Sequence, residues 1–175
     1  ENRPGGNTII AADHVAKSEP DGYTLMLIGE LTHSSVAALT KQLPFDPIKD
    51  FAPITNAIAS PLVVVVNPGV PAKTLKELIA YAKSKPANSL SYGSWGNGSG
   101  GHLSMEALNQ QAGLKIQHVP YKNSAAVNTD LIGGQIPVAF TSMGSALPLV
   151  LGGKMKAIAI SGPYRVPQLP NVQTM

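Results

Sequence analysis

The chain has 175 residues, 43% of them hydrophobic and 13% charged, with a formal net charge of +3 and no cysteine. That composition suits a folded chain of one ordinary domain or two small ones, and it excludes disulfides, thiolate metal sites and cysteine nucleophiles. The positive charges form no basic run, which argues against a nucleic-acid partner, and no apolar stretch approaches the roughly 18 residues of a membrane span.

Arg3-Pro4-Gly5-Gly6-Asn7 is a turn signal, and Ile9 to Lys17 has the apolar spacing of a short helix that Pro20-Asp21-Gly22 ends. Tyr23 to Gly29 reads as a near-continuous apolar strand. Leu31-Thr32-His33-Ser34-Ser35 follows as a small polar turn, with a helical turn at Val36 to Leu39. Pro44 to Pro53 is proline-punctuated and reads as a loop. Pro61 to Asn67 is a β-branched run suited to a buried strand. Thr74 with Glu77 three residues later forms a capping box for a helix ending near Lys85-Pro86.

The stretch that follows carries the most chemistry. Ser89 to Tyr92 is β-like. Gly93-Ser94-Trp95-Gly96-Asn97-Gly98-Ser99-Gly100-Gly101-His102 is rich in glycine and small polar residues, and a helical pattern opens at Leu103. A strand, a glycine turn and a helix start together present unpartnered backbone N–H groups and the positive end of a helix dipole to an anion. The expected ligand is a small carboxylate. Gly96-x-Gly98-x-x-Gly101 also fits the dinucleotide fingerprint, but that motif needs an acidic residue at the end of the next strand. Lys115 to Lys122 holds neither Asp nor Glu. A flexible turn without a ligand is the third reading.

Further on, helices are expected at Ala125 to Ile132 and Ala146 to Leu151, and strands at Ile136 to Phe140 and Lys156 to Ser161. Thr141 to Ser145 is a third small polar turn. The alternation of strand and helix from Leu62 to Ile160 predicts an α/β domain with a largely parallel sheet. In such sheets ligands bind beyond the carboxyl ends of the strands. The polar turns near His33, Gly98 and Ser142 all follow strands and are candidates to share one cleft.

Catalytic groups are scarce. The acids are scattered, the four histidines lack metal-ligand spacing, and no serine sits in a nucleophile elbow. The expectation is a binding protein with no catalytic residue, metal or cofactor. Ser94, Asn97 and Ser99 are small donors in the turn. His102 and His33 could each contact a ligand, or could serve as a local cap and a solvated turn residue respectively. Tyr121 could face the cleft or pack under a helix. Trp95, the one tryptophan, could stack on a flat ligand or pack on a neighbouring loop.

A family resemblance adds to this. Pro20-Asp21-Gly22-Tyr23-Thr24-Leu25, Leu43-Pro44-Phe45-Asp46-Pro47, Gly96-Asn97-Gly98-Ser99, His118-Val119-Pro120-Tyr121-Lys122, Asp130-Leu131-Ile132-Gly133-Gly134-Gln135 and Leu169-Pro170-Asn171-Val172 occur in order. Together they resemble the Bug (TctC-like) proteins, the periplasmic solute receptors of tripartite tricarboxylate transporters. The resemblance implies a periplasmic-binding-protein-like fold of type II, a venus flytrap of two α/β domains closing on a small carboxylate. It also implies a membrane permease as partner, a monomer, and a location in the periplasm. A sensory receptor for a membrane signalling partner is the alternative it leaves open.

Carried over by motif, Ser94, Trp95, Asn97, Gly98, Ser99 and His102 would clamp the carboxylate from the second domain. Gly29, Thr32 and His33 would come from the first, and Tyr121, Thr141 and Ser142 would line the remainder. Phe140-Thr141 stands where many members have Phe-Asp, which makes an amino-acid ligand a poorer fit. Trp95 stands where a smaller residue is common and would narrow the pocket or favour an aromatic acid. Members also carry an opening strand with its loop and a longer C-terminal part. The expectation is therefore a fragment: residues 1–60 as a partial first domain, 61–161 as a complete second domain, and 162–175 returning to the first.

Overall fold

The computed structural model describes residues 1–3, 5–29 and 31–175. Pro4, inside the expected Arg3–Asn7 turn, and Glu30, next to Gly29, lie outside the described residues. The chain divides into two compact units: residues 1–57 with 98–100, and residues 58–97 with 101–175.

The first unit has little regular structure. A turn at Gly6–Thr8 leads into α1 (Ile9–Ala16), and a π-helical turn at Leu31–Ser35 runs into α2 (Val36–Leu39). Thr8 sits at φ 75, a left-handed conformation that β-branched residues avoid. Its hydroxyl lies 2.9 Å from the Thr32 hydroxyl, a tie that helps to hold it there. The break after α1 is an Asx turn in which Asp21 accepts from the Tyr23 N–H at 2.9 Å. The Pro44–Pro53 loop is organised by Asp46, whose carboxylate accepts from the Ile48 and Lys49 N–H groups. Those two backbone donors hold the Asp46 carboxyl below its ordinary range.

Tyr23 to Gly29 departs from expectation: it forms no strand. Tyr23 is 91% and Leu27 80% exposed. Apolar, β-favouring residues give a strand only where a neighbour completes the ladder. No described residue pairs with this run.

The second unit alternates strands and helices: β1 (Leu62–Val66), α3 (Leu75–Lys83), β2 (Ser91–Ser94), α4 (Gly100–Ala112), β3 (Gln117–Pro120), α5 (Ser124–Ile132), β4 (Val138–Ser142), α6 (Met143–Leu151), β5 (Lys156–Ile160) and β6 (Gln173–Thr174). The sheet order is β3-β2-β4-β1-β5-β6. β2 is parallel to β3 and β4, and β5 to β6, whereas β1 is antiparallel to both β4 and β5. Every strand but β1 thus points one way. The sheet expected as largely parallel is a mixed one with a reversed strand at its centre. Residues 162–175 group with the second unit. β6 completes the sheet beside β5, and Leu169 is buried in the core.

The four valines Val63 to Val66 show how the sequence builds these layers. Successive strand side chains point to opposite faces. Val64 and Val66 enter one core with Leu78, Tyr92, Met105 and Phe140, and Val63 and Val65 enter the other with Val127, Leu131 and Ala146. All four are fully buried, as an apolar run covered on both faces requires. β5 meets β1 through a bulge between Val64 and Val65, and Ile158 is the extra residue. Half of the expected capping box forms at α3: the N-cap Thr74 Oγ1 accepts from the Glu77 N–H, while the Glu77 carboxylate accepts from the Lys73 N–H, one residue before the cap, in place of the Thr74 N–H.

Candidate functional site

The parallel strands β2, β3 and β4 bring their carboxyl ends to one edge of the sheet, as the alternation pattern implied. Ser94 ends β2, Tyr121 follows β3, and Ser142 ends β4. The Tyr121 N–H donates to Ser94 O at 2.9 Å, which ties the first two ends together.

From Ser94 the chain enters the glycine turn and rises into α4, which starts at Gly100, earlier than the apolar pattern suggested. Gly96 and Gly98 have φ of 128 and 76, conformations that glycine adopts without a steric penalty. Gly101 serves a different need. A Cβ there would lie 2.4 Å from Phe140 O and 2.7 Å from Trp95 Cζ3. The first turn of α4 therefore rests directly on the β4 backbone, with the half-buried Trp95 indole against it.

Ser94 is fully buried, and its hydroxyl works inside the turn. It lies 2.7 Å from His118 Nε2, donates to Gly96 O at 3.1 Å and accepts from the Gly96 N–H at 3.3 Å. The His118 ring stacks against Tyr92, centroids 5.0 Å apart, and against His102 at 4.1 Å. Tyr92 donates to Glu106 Oε1 at 2.7 Å, and Asn109 donates to the same oxygen at 3.3 Å and to Ile116 O at 3.0 Å. Burial and the neighbouring His102 push His118 down to about 4, against the opposing pull of Glu106. Burial and the Glu106 carboxylate push the Tyr92 hydroxyl well above its ordinary value.

The other expected residues are placed as follows. Tyr121 donates its proton to Asp130 Oδ2 at 2.8 Å, and burial with that bond pushes the hydroxyl up to about 12. Its proton is thus committed, and a carboxylate would have to compete with Asp130 for it. Thr141 is fully buried, and its hydroxyl lies 3.3 Å from Ser145 Oγ. The Ser142 hydroxyl lies 2.9 Å from the same atom. The third polar turn does not exist as a turn: β4 runs straight into α6, and the Met143 N–H donates to Pro61 O. Asn97 is exposed, while Gly98 and Ser99 are buried.

Within the first unit, the Thr32 N–H donates to Gly29 O at 3.3 Å and the Thr32 hydroxyl meets that of Thr8. His33 packs against Phe51, centroids 4.8 Å apart, and Phe51 against Phe45. His33 Nδ1 is buried with no hydrogen-bond partner among the described residues. This histidine is therefore an aromatic-cluster residue rather than a solvated one.

His118, Glu106 and Asn109 were not singled out from the sequence as site residues. The signal was present but ambiguous: His118 falls on the same strand face as Tyr92 only once β2 and β3 are paired in register. A groove of about 670 Å³ in the second unit, lined among others by Asn88, Glu106, Gln110 and Lys115, includes none of the expected ligand residues.

Chemically, the arrangement offers a rigid helix start, a glycine turn and small hydroxyls. Ser94 Oγ lies within hydrogen-bond reach of the His118 imidazole, but the serine is fully buried and its hydroxyl also bonds Gly96 O. No group of three or more potential metal-binding side chains occurs among the described residues.

A UPF0065 protein of Bordetella pertussis is 37% identical over 177 residues, covering 99% of this chain and 53% of its own length. The chain spans about half the length of the curated relatives it matches. A solved structure described as a periplasmic transporter is 40% identical with a TM-score of 0.91, covering 99% of this chain and 58% of its own. Rpa4515 of R. palustris, solved with adipate, is 32% identical with a TM-score of 0.94, covering 100% of this chain and 58% of its own. The model of the tripartite tricarboxylate transporter family receptor (TctC) matches residues 1–175 from end to end, and the chain belongs to that family.

Proposed function

We propose that this chain is part of a periplasmic receptor that captures a small dicarboxylate or tricarboxylate, or an aromatic acid, and presents it unchanged to a membrane permease. The observation that carries this reading is the start of α4. Its first turn opens from a glycine run at the carboxyl edge of parallel strands, in a member of a carboxylate-transporter receptor family. Backbone N–H groups in a first helical turn have no partner within the helix, and the helix dipole favours negative charge there.

Ser94, Trp95, Asn97, Gly98, Ser99 and His102 form the proposed anion clamp, with Tyr121, Thr141 and Ser142 along the same strand edge. The roles of Gly29, Thr32 and His33 rest on the family pattern. A relative solved with adipate supports a dicarboxylate as the first probe. The receptor would act as a monomer, and its job is binding, with no bond of the ligand made or broken.

The test is a thermal-shift and calorimetric panel of adipate, malate, citrate and benzoate on this chain and on a full-length version. At least one carboxylate should raise the melting temperature of the full-length protein, and NAD should not. Protection by NAD with none by any acid would reverse the reading in favour of a nucleotide site at Gly96–Gly101.

A further inference from the structure

We propose that His118 is the positioning residue of the anion-binding turn, donating from Nε2 to Ser94 and so fixing the hydroxyl that holds the Gly96 peptide at both its N–H and its C=O. This rests on the carboxylate-clamp reading for its functional consequence, but the geometry stands apart from it.

The argument starts from what a hydroxyl can do. It has one proton to give and two lone pairs to receive with. Ser94 Oγ meets Gly96 O, which can only accept, and the Gly96 N–H, which can only donate. When both are made, the proton and one lone pair are used. The contact to His118 Nε2, at 2.7 Å the shortest of the three, is then complete only if Nε2 carries a hydrogen. The opposite tautomer would take the serine proton and release Gly96 O. Burial keeps the imidazole neutral at pH 7, so the form required is the neutral Nε2–H tautomer.

The ring is well placed for this task. His118 pairs with Tyr92 across β3 and β2, and it stacks against both Tyr92 and His102. The titratable groups around it are Tyr92 of β2 and His102 and Glu106 of α4. Glu106 is itself held by Tyr92 and Asn109, and Asn109 is bound to the Ile116 backbone. The Ser94–His118–Gly96 contacts and the Tyr92–Glu106–Asn109 hydrogen bonds therefore meet through the stacked rings of Tyr92, His118 and His102. A left-handed peptide at Gly96 without side-chain support would sample other conformations, and N–H groups that move away from a carboxylate lose affinity for it.

The experiment uses the full chain and three variants, His118→Gln, His118→Leu and Ser94→Ala. A long-range proton–nitrogen spectrum reads the His118 tautomer, amide hydrogen exchange reads Gly96, and calorimetry reads adipate affinity. The wild type should show the Nε2–H tautomer. His118→Leu and Ser94→Ala should speed Gly96 exchange and weaken adipate each by about tenfold, the scale of one lost hydrogen bond. His118→Gln, which places an amide donor near the Nε2 position, should restore most of both. An Nδ1–H tautomer, unchanged Gly96 exchange in His118→Leu, or a Gln variant no better than Leu would each overturn the proposal. If adipate fails to bind the wild type, the carboxylate reading loses its first probe, while tautomer and exchange still decide the role of His118.

Discussion

Replacing Gly101 with alanine probes the seat of α4 directly. The new Cβ would lie 2.4 Å from Phe140 O and 2.7 Å from Trp95 Cζ3. An ordinary carbon–oxygen contact needs roughly 3.3 Å, so the helix start or the β4 backbone must yield by about 0.9 Å. Phe140 lies in a strand paired on both sides, β2 on one and β1 on the other, so the helix is the part that moves. Overpacking of this kind costs about 1–3 kcal/mol, and the better helix propensity of alanine returns at most about 1 kcal/mol. The net expectation is a loss of about 1–2 kcal/mol in urea unfolding. The same displacement carries the first-turn N–H groups away from the ligand, so adipate affinity should fall by tenfold or more. Gly144→Ala is the control. It lies in the first turn of α6 with nothing within 4 Å of the added carbon, and it should be neutral or slightly stabilising. Trimming the indole with Trp95→Ala should not rescue Gly101→Ala, because the carbonyl remains. A Gly101→Ala protein as stable as the wild type and binding as tightly would refute the claim that this contact sets the helix position.

Val65→Ala should cost about 2 kcal/mol in the same unfolding assay, because it removes fully buried methyl groups from a strand packed on both faces. Acid should destabilise the second unit. The folded His118 titrates near 4 and the unfolded one near 6.5, so the stability that its neutral burial preserves is complete above the unfolded value. It is lost as pH falls from about 6.5 to 4, at up to about 1.4 kcal/mol per pH unit, and His118→Gln should flatten that slope. Tyr121→Phe should lower stability by about 1 kcal/mol by leaving Asp130 without its donor, and unaltered urea unfolding would show that the bond contributes nothing. Trp95→Ala should change the ranking of aromatic against aliphatic acids in a binding panel. An identical ranking would discard any part for the indole in ligand choice.

Much of the second unit was legible because its signals are local. The valine run, the helix cap at Thr74 and the glycine turn before α4 each state their own conformation through spacing, side-chain donors or the absence of a Cβ. The reversed direction of β1 was not legible. A strand buried on both faces looks the same in either direction, because burial and β-propensity carry no sense of polarity. Tyr23 to Gly29 failed for the complementary reason. Its residues favour a ladder, but a ladder needs a neighbour, and none is found among the described residues.

The site divides along the same line. Gly96, Gly98 and Gly101 could be singled out from the sequence because each glycine answers a demand made by its own backbone or its immediate packing. The partners of the hydroxyls could not. Ser94 with His118 and Tyr92 with Glu106 join residues 24 and 14 positions apart, and Tyr121 with Asp130 joins β3's end to α5. Those pairings depend on strand register and helix rotation, which the residue order does not specify. The consequence reaches function: a small hydroxyl beside a glycine turn looks from the sequence like a ligand donor. The folded chain uses the Ser94 proton on a neighbouring peptide and the Tyr121 proton on a carboxylate. Both hydroxyls are thus engaged within the fold.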